Sequence, residues 1–356
     1  MRIGLIIYGS LDALTGGFLY DRKLVERLRK AGHTVDVIAL PWRSYTAHLL
    51  DNLRPKLFER LRRSRFDVLL QDELNHPSLF LLNQHLKLQA SYPIVSIVHH
   101  LRSSEQHPAP LRSLYRRVEA QYLRRVDAFI YNSQTTKWVV ESLLGASPAH
   151  IVAVPSGSRF EGVPPAFIAD RAGEDRPLRI VFLGNLIPRK GLDALLDALG
   201  RLPPDAARLV VIGDGTVNPG YTRAILRQID ALNLGPRVKL TGALSDPELS
   251  GQLAAADVLA VPSRYEGFGI VYLEGMAFGL PAIGTTSGAA WEIITPGVDG
   301  FLVSPDNANE LAQRLRLLAS DRERLRAMSL AARDRFEAHP TWDDTTARIE
   351  TFLASL

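Results

Sequence analysis

The sequence predicts an α/β protein built from two doubly wound, Rossmann-like parallel-sheet domains in series. Three observations predict it. Short β-rich runs alternate with amphipathic helical runs from end to end, and the strand candidates are nearly continuous in apolar residues, as in parallel sheets covered on both faces. At 356 residues the chain is too long for one ordinary core and suits two domains. The alternation breaks once, at PSGSRFEGVPPAFIADRAGEDRP (155–177), which is rich in Pro, Gly and charge and carries no sustained period. We read domains over 1–156 and 178–340, joined by a linker over 157–177.

In the first half the strand candidates are RIGLIIYG, HTVDVIAL, FDVLLQ, PIVSIVHH, AFIYNS and HIVAVP. Between the first two, FLYDRKLVERLRKAG repeats its apolar residues at helical spacing and stops at Gly32. In the second half the strands are LRIVFLG, RLVVIGDG, RVKLTG, VLAVPS, PAIGTTS and GFLVSP. Sheets of this class bind ligands outside the carboxyl ends of their strands, so a ligand shared by both domains would lie in the cleft between them.

Hydrophobic residues make up 46% and charged residues 22%, a globular profile. The absence of cysteine excludes disulfides and Cys-ligated zinc and fits a reducing, cytoplasmic setting. MRIGLIIYGS reads as a first strand, not a signal peptide, and no run approaches the length of a membrane span. The net charge of +4 is unevenly spread: residues 1–156 hold 21 basic against 13 acidic side chains, and the rest hold 21 against 25. The front half therefore favours an anionic partner, with a phosphorylated acceptor, anionic lipid and nucleic acid all compatible. No nucleic-acid reader motif accompanies that charge, so no nucleic-acid partner is expected.

Two stretches carry chemistry. In SRYEGFGIVYLEGMAFGLP, starting at Ser263, a strand end passes through a Gly-bearing loop to a helix beginning near Phe268, whose exposed amides make an anion site. Glu266 precedes that start as the more exposed acid, where the helix dipole alone would favour it. Glu274 is flanked by Ile270, Val271, Tyr272, Leu273, Met276, Ala277 and Phe278, so it is a buried carboxylate in need of donors, met either by ligand hydroxyls or by a structural pair. In FLGNLIPRKGLDALLDAL (182–199), Arg189 and Lys190 stand on a loop at a strand's carboxyl end, able to clamp a diphosphate. Taken alone, that loop reads as an ordinary solvated basic turn.

Together the two stretches resemble the nucleotide-sugar-binding domain of family-4 glycosyltransferases of the GT-B fold. The matching elements are E-x7-E from Glu266 to Glu274, the segment from Gly184 to Lys190-Gly191, and then VVIGDG, VKLTGAL and DGFLV in order. The resemblance spans nearly the whole chain and is strongest over 178–305. It implies a retaining glycosyltransferase that moves a hexose from a nucleotide-diphosphate sugar to an acceptor hydroxyl without a metal or other cofactor. Under it, Glu274 holds the ribose and Glu266 lies beside the donor sugar. The backbone of Gly267, Phe268, Gly269 and Ile270 cradles sugar and phosphate, with Gly213 at the neighbouring strand end, and Gly242, Ala243 and Leu244 meet the base. Arg189 and Lys190 neutralise the leaving diphosphate. The alternatives are a GT-B nucleotide-sugar epimerase and a nucleotide-sugar-binding protein without transfer activity.

The front domain, by the same resemblance, binds the acceptor, which is a sugar, a lipid or a small molecule. There TGGFLY (15–20) puts Gly16 and Gly17 after the first strand, where backbone can approach an anion or simply turn. PIVSIVHHLRSSE (93–105) ends a buried strand in His99-His100, and the resemblance assigns His99, with His100 as the alternative, to the cleft beside the donor sugar. The helical run LRSLYRRVEAQYLRRVD (111–127) repeats Leu111, Leu114, Tyr115, Val118, Tyr122 and Val126 with arginines on its other faces. It reads as a packed helix with a solvated basic face, or as a peripheral contact with anionic membrane at the inner face. The last helix, about 341–356, is expected to cross back to the first domain, with Trp342 as its anchor.

Overall fold

The computed structural model describes residues 1–12, 16–146 and 148–356. Two compact units divide the chain: residues 1–155 with 340–356, and residues 156–339. All twelve apolar runs form strands.

The first unit holds β1 (Arg2–Tyr8), β2 (Thr34–Leu40), β3 (Val68–Asp72), β4 (Ile94–Val98), β5 (Ala128–Tyr131) and β6 (Ala149–Val152), all parallel, in the order β2-β1-β3-β4-β5-β6. Ile6, Leu69, Val98 and Phe129 pack one continuous core with Leu61, Leu86, Tyr122 and Val140 from the covering helices. Strand order reverses between β1 and β3. The loops leaving those two strands diverge to opposite faces and open a crevice at their carboxyl ends. The final helix, Trp342–Ala354, starts from a capping box in which Thr341 and Asp344 exchange hydrogen bonds. Within this unit Thr345 Oγ1 donates to the Val154 carbonyl at 2.7 Å, and the Trp342 ring meets Tyr20 edge-on at 5.8 Å.

The second unit holds β7 (Leu178–Leu183), β8 (Ala207–Ile212), β9 (Val238–Gly242), β10 (Val258–Ala260), β11 (Ala282–Thr285) and β12 (Gly300–Val303) in the order β12-β11-β10-β7-β8-β9. This sheet too is parallel, and its reversal falls between β7 and β10. The loops after β7 and β10, 76 residues apart in sequence at Lys190 and Glu266, thereby become neighbours.

One segment differs from its sequence reading. Residues 157–177, taken as a linker, contain the helix Pro165–Gly173, which belongs to the second unit. Ile168 is fully buried there, and Arg171 donates from Nη2 to the carbonyls of Phe278 at 2.9 Å and Gly279 at 3.1 Å. At nine residues the helix is too short to display a period, and its buried guanidinium looks in sequence like surface charge.

Candidate functional site

In the second unit the loop after β7 closes as a short 3-10 turn, Pro188–Lys190. Gly191 ends it at φ 71°, and a Cβ there would sit 2.1 Å from the Pro262 carbonyl oxygen, so only glycine lets this loop cross the one after β10. The crossing joins the predicted residues. Lys190 Nζ donates to Glu266 Oε2 at 2.7 Å, Ser263 Oγ donates to the same oxygen at 3.1 Å, and Arg189 Nη1 lies 3.8 Å from Glu266 Oε1. Glu266 is also fixed through its backbone, whose carbonyl accepts from Ala289 N–H at 2.8 Å.

Burial by itself would raise the Glu266 carboxyl, but Lys190 and Arg189 overcome it and hold the group down at about 2. The Lys190 ammonium is pressed below its ordinary value by burial, against the pull of Glu266. Of the three donors on that ammonium, one is used on Glu266.

The helix bearing Glu274 spans Ile270–Met276 and begins two residues later than expected, because Gly269 takes a left-handed φ of 101° as its N-cap. Gly267, Phe268 and Gly269 are buried and Ile270 is half-buried, with the Phe268 ring packed 5.9 Å from His339. Exposure does not separate the two acids as the sequence suggested, since Glu266 is 9% and Glu274 6% exposed. What separates them is their partners. Glu274 accepts from Arg159 Nη1 at 3.4 Å, and that guanidinium also pairs with Asp246. Burial raises the Glu274 carboxyl above its usual range and Arg159 opposes the rise. Arg159 lies in the segment read as linker, and nothing in the sequence ties it to Glu274.

Further along the strand ends, Gly213 donates its N–H to the Gly242 carbonyl at 3.0 Å. Gly242 and Ala243 are exposed and Leu244 half-buried, just ahead of the helix Asp246–Ala255, whose N-cap Ser245 forms a capping box with Glu248. Arg264, not singled out from sequence, braces the loop after β10. Its Nη2 lies 2.6 Å from Asp193 Oδ2 and 2.7 Å from Asp306 Oδ1.

In the first unit His99 sits just past β4 and is 7% exposed. Its Nε2 lies 3.3 Å from Oδ1 of the fully buried Asp21, and Asn132 Nδ2 donates to its carbonyl at 2.8 Å. Burial disfavours the imidazolium, but Asp21, Asp72 and Glu73 outweigh it and bring His99 up to about 9. Gly16 and Gly17 open the helix Gly16–Lys30, and a Cβ on Gly17 would lie 3.2 Å from His99 Cδ2. The close approach at Gly17 is thus to the histidine ring. Thr15, the first residue of that motif, lies outside the described residues. His100 pairs instead with Glu105 at 3.0 Å. Asp21 was missed, although an acid on the Phe18–Leu24–Leu28 stripe was a signal available in the sequence.

Comparison with known proteins bears on the family and the fold. Residues 166–335 match the family model described as Glycosyl transferases group 1, and residues 20–158 match Glycosyltransferase Family 4. Among curated relatives, a GDP-mannose-dependent monoacylated alpha-(1-6)-phosphatidylinositol monomannoside mannosyltransferase of Corynebacterium glutamicum is 33% identical over 247 residues, 65% of this chain and 62% of that protein. A GDP-mannose-dependent alpha-(1-6)-phosphatidylinositol monomannoside mannosyltransferase of Mycobacterium tuberculosis is 35% identical over 192 residues, 51% of this chain and 48% of that one. The chain thus spans about half to two thirds of the length of these relatives. Among solved structures, sucrose-phosphate synthase from Thermosynechococcus elongatus aligns with a TM-score of 0.84 at 22% identity over 99% of this chain and 98% of that one. HepE of Anabaena, solved in complex with UDP and glucose, aligns at 0.81 and 22% identity over the whole of both chains. At such identity these likenesses speak for the fold. The two family models together take in most of the chain, and the chain belongs to the family-4-type glycosyltransferases of the GT-B fold.

Proposed function

We propose that the protein is a retaining hexosyltransferase that moves a sugar from a nucleotide-diphosphate donor to an acceptor hydroxyl without a catalytic metal. The observation that carries the reading is the Lys190–Glu266–Arg189 cluster at the reversal point of the second sheet. Cations at that point are suited to a diphosphate, and an acid held at about 2 stays a carboxylate at neutral pH. Glu266 therefore accepts hydrogen bonds from donor-sugar hydroxyls and is not the proton donor. Lys190 turns its remaining donors to the departing phosphate, where charge grows in the transition state. Glu274, carrying one weak pair to Arg159, takes the ribose hydroxyls.

In the transfer, the bond from the anomeric carbon to the diphosphate oxygen breaks and the acceptor oxygen bonds to that carbon on the same face. The acceptor's proton passes to the departing diphosphate. We assign His99, held by Asp21, to the catalytic set in its imidazolium form.

The two mannosyltransferase relatives favour GDP-mannose as donor and a phosphatidylinositol lipid as acceptor; a D-inositol 3-phosphate glycosyltransferase of Mycobacterium bovis, 33% identical over 258 residues, favours a phosphorylated inositol, and HepE a UDP-hexose. The surplus of basic residues over 1–156 fits an anionic acceptor. We also propose a peripheral contact with anionic membrane at the inner face. Leu111 and Leu114, read in sequence as part of a packed stripe, are instead 44% and 40% exposed. The same helical run lends Arg116, Arg117 and Arg124 to a groove also lined by Leu143. Among the described residues no helix is long and apolar enough to cross a membrane.

The test is product formation. GDP-mannose or UDP-glucose incubated with inositol phosphate or phosphatidylinositol should release the nucleoside diphosphate and yield a glycoside with the donor's anomeric configuration by NMR. An inverted product would refute retention. Donor binding without any product would leave the binding-protein alternative in its place.

A further inference from the structure

β3 ends at Asp72, whose Oδ1 accepts from Leu74 N–H at 2.9 Å and starts a short turn, Glu73–Asn75, followed by the helical turn His76–Leu79. The i,i+3 spacing puts the side chains of Glu73 and His76 on one side, with Glu73 Oε1 3.0 Å from His76 Nδ1. Glu119 reaches the same point from the buried face of the helix Ala109–Leu123, with one oxygen held by Ser103 N–H at 3.1 Å. The three residues are 1%, 2% and 0% exposed, and their ligand atoms lie within 4.8 Å of one another.

This cluster has an anomaly. Among the described residues, neither carboxylate oxygen of Glu73 has a hydrogen-bond partner, nor does Oε2 of Glu119. Two buried carboxylates with unmatched oxygens thus stand beside one imidazole, an arrangement that is costly unless a cation or several donors meet it. Protonating one carboxyl supplies a single donor for three oxygens. A divalent ion takes an oxygen from each glutamate together with a nitrogen of His76.

We propose that Glu73, His76 and Glu119 bind a divalent transition-metal ion, zinc being the best match to one nitrogen and two oxygens. Metal–ligand bonds of about 2.0–2.2 Å would draw the three atoms together from their present spacing. As the ring stands, His76 Nδ1 donates to the Glu73 backbone carbonyl, 3.0 Å away, so the ion takes that nitrogen in exchange for this bond and its proton moves to Nε2. With Nδ1 on the ion, Nε2–H donates to Tyr45 Oη, 3.2 Å away, which fixes the tautomer and the ring plane. The ion pins the turn after β3 to the helix Ala109–Leu123. The role is structural, goes beyond the transfer reaction and takes no part in it.

The experiment is elemental analysis of the full chain as purified, paired with thermal denaturation. The expected result is about one zinc or other first-row divalent ion per chain, lost to a strong chelator with a fall in Tm and restored by Zn²⁺ alone. Glu73→Gln and Glu119→Gln should each lower occupancy about tenfold or more. Asp21→Asn, in the neighbouring Asp21–Asp72–His99 cluster, should leave occupancy unchanged. If the Gln variants fail to fold, chelation and restoration of the wild-type chain still decide. Absence of bound metal together with no Tm response to Zn²⁺ or Mn²⁺ would overturn the proposal, as would full occupancy in the folded double variant or loss of the ion in Asp21→Asn.

Discussion

Lys190 and Glu266 form a part-buried ion pair across 2.7 Å between the loops that leave β7 and β10. The pair exists because the sheet reverses its strand order there, and Gly191 lets the two loops cross without a side chain in the way. Removing Lys190 leaves the buried Glu266 carboxylate with the more distant Arg189 for a cation, and removing Glu266 leaves the half-buried ammonium without its acid.

A double-mutant cycle measures that coupling. Lys190→Ala and Glu266→Gln should each destabilise, and the double variant should cost less than their sum, with a coupling of about 1–3 kcal/mol by denaturant unfolding. Additive losses would mean the pair is not formed in solution.

Lys190→Ala should also depress turnover by about 10²–10³-fold, the cost of losing one preorganised charge at a developing anion. Its Tm should fall far less than its rate. Wild-type turnover would remove Lys190 from the phosphate clamp.

Glu274→Ala should weaken donor binding by about 10–100-fold if its carboxylate takes two ribose hydroxyls. Arg159→Ala should act in the same direction but less strongly, because it lifts an already raised Glu274 carboxyl further toward its neutral form. Calorimetry with the nucleotide sugar decides, and unchanged affinity in Glu274→Ala would end the ribose assignment.

The Asp21–His99 pair makes stability depend on pH. The folded imidazolium titrates at about 9, above the unfolded value of about 6.5, so its contribution is fully present below pH 6.5 and disappears as pH rises through 9. At its largest the contribution is about 3 kcal/mol. Unfolding at pH 6, 8 and 10 should find Asp21→Asn well below wild type at pH 6 and close to it at pH 10. A gap constant with pH would contradict the pairing.

Charge reversal at Arg116, Arg117 and Arg124 should abolish co-sedimentation with vesicles of anionic lipid, at about 1 kcal/mol per arginine near the surface. Equal sedimentation before and after would reject that helix as the docking face.

Every strand was legible because apolar runs between turn residues survive in the sequence whatever the tertiary context. The meeting of Glu266 with Arg189 and Lys190 was legible from the order of the motifs, whereas the partner of Glu274 was not. Partners that meet only through folding were harder to find. Asp21 is 78 residues from His99, and Arg159 is 115 from Glu274. Asp21 and Glu119 had left a trace as acids on otherwise apolar helix faces. Arg159 and Arg171 had left none, because an arginine that ends among buried carbonyls or carboxylates looks the same in sequence as one in water.

The central claim is that the second unit binds a nucleotide-diphosphate sugar through Lys190 and Glu274. A thermal-shift panel of UDP-, GDP-, ADP- and TDP-sugars tests it most directly, since a bound donor raises Tm by linkage. The account predicts that one class of donor raises the wild-type Tm by several degrees and that Lys190→Ala and Glu274→Ala, folded at the start, lose that rise. A panel with no shift, or a shift undiminished in both variants, would contradict it.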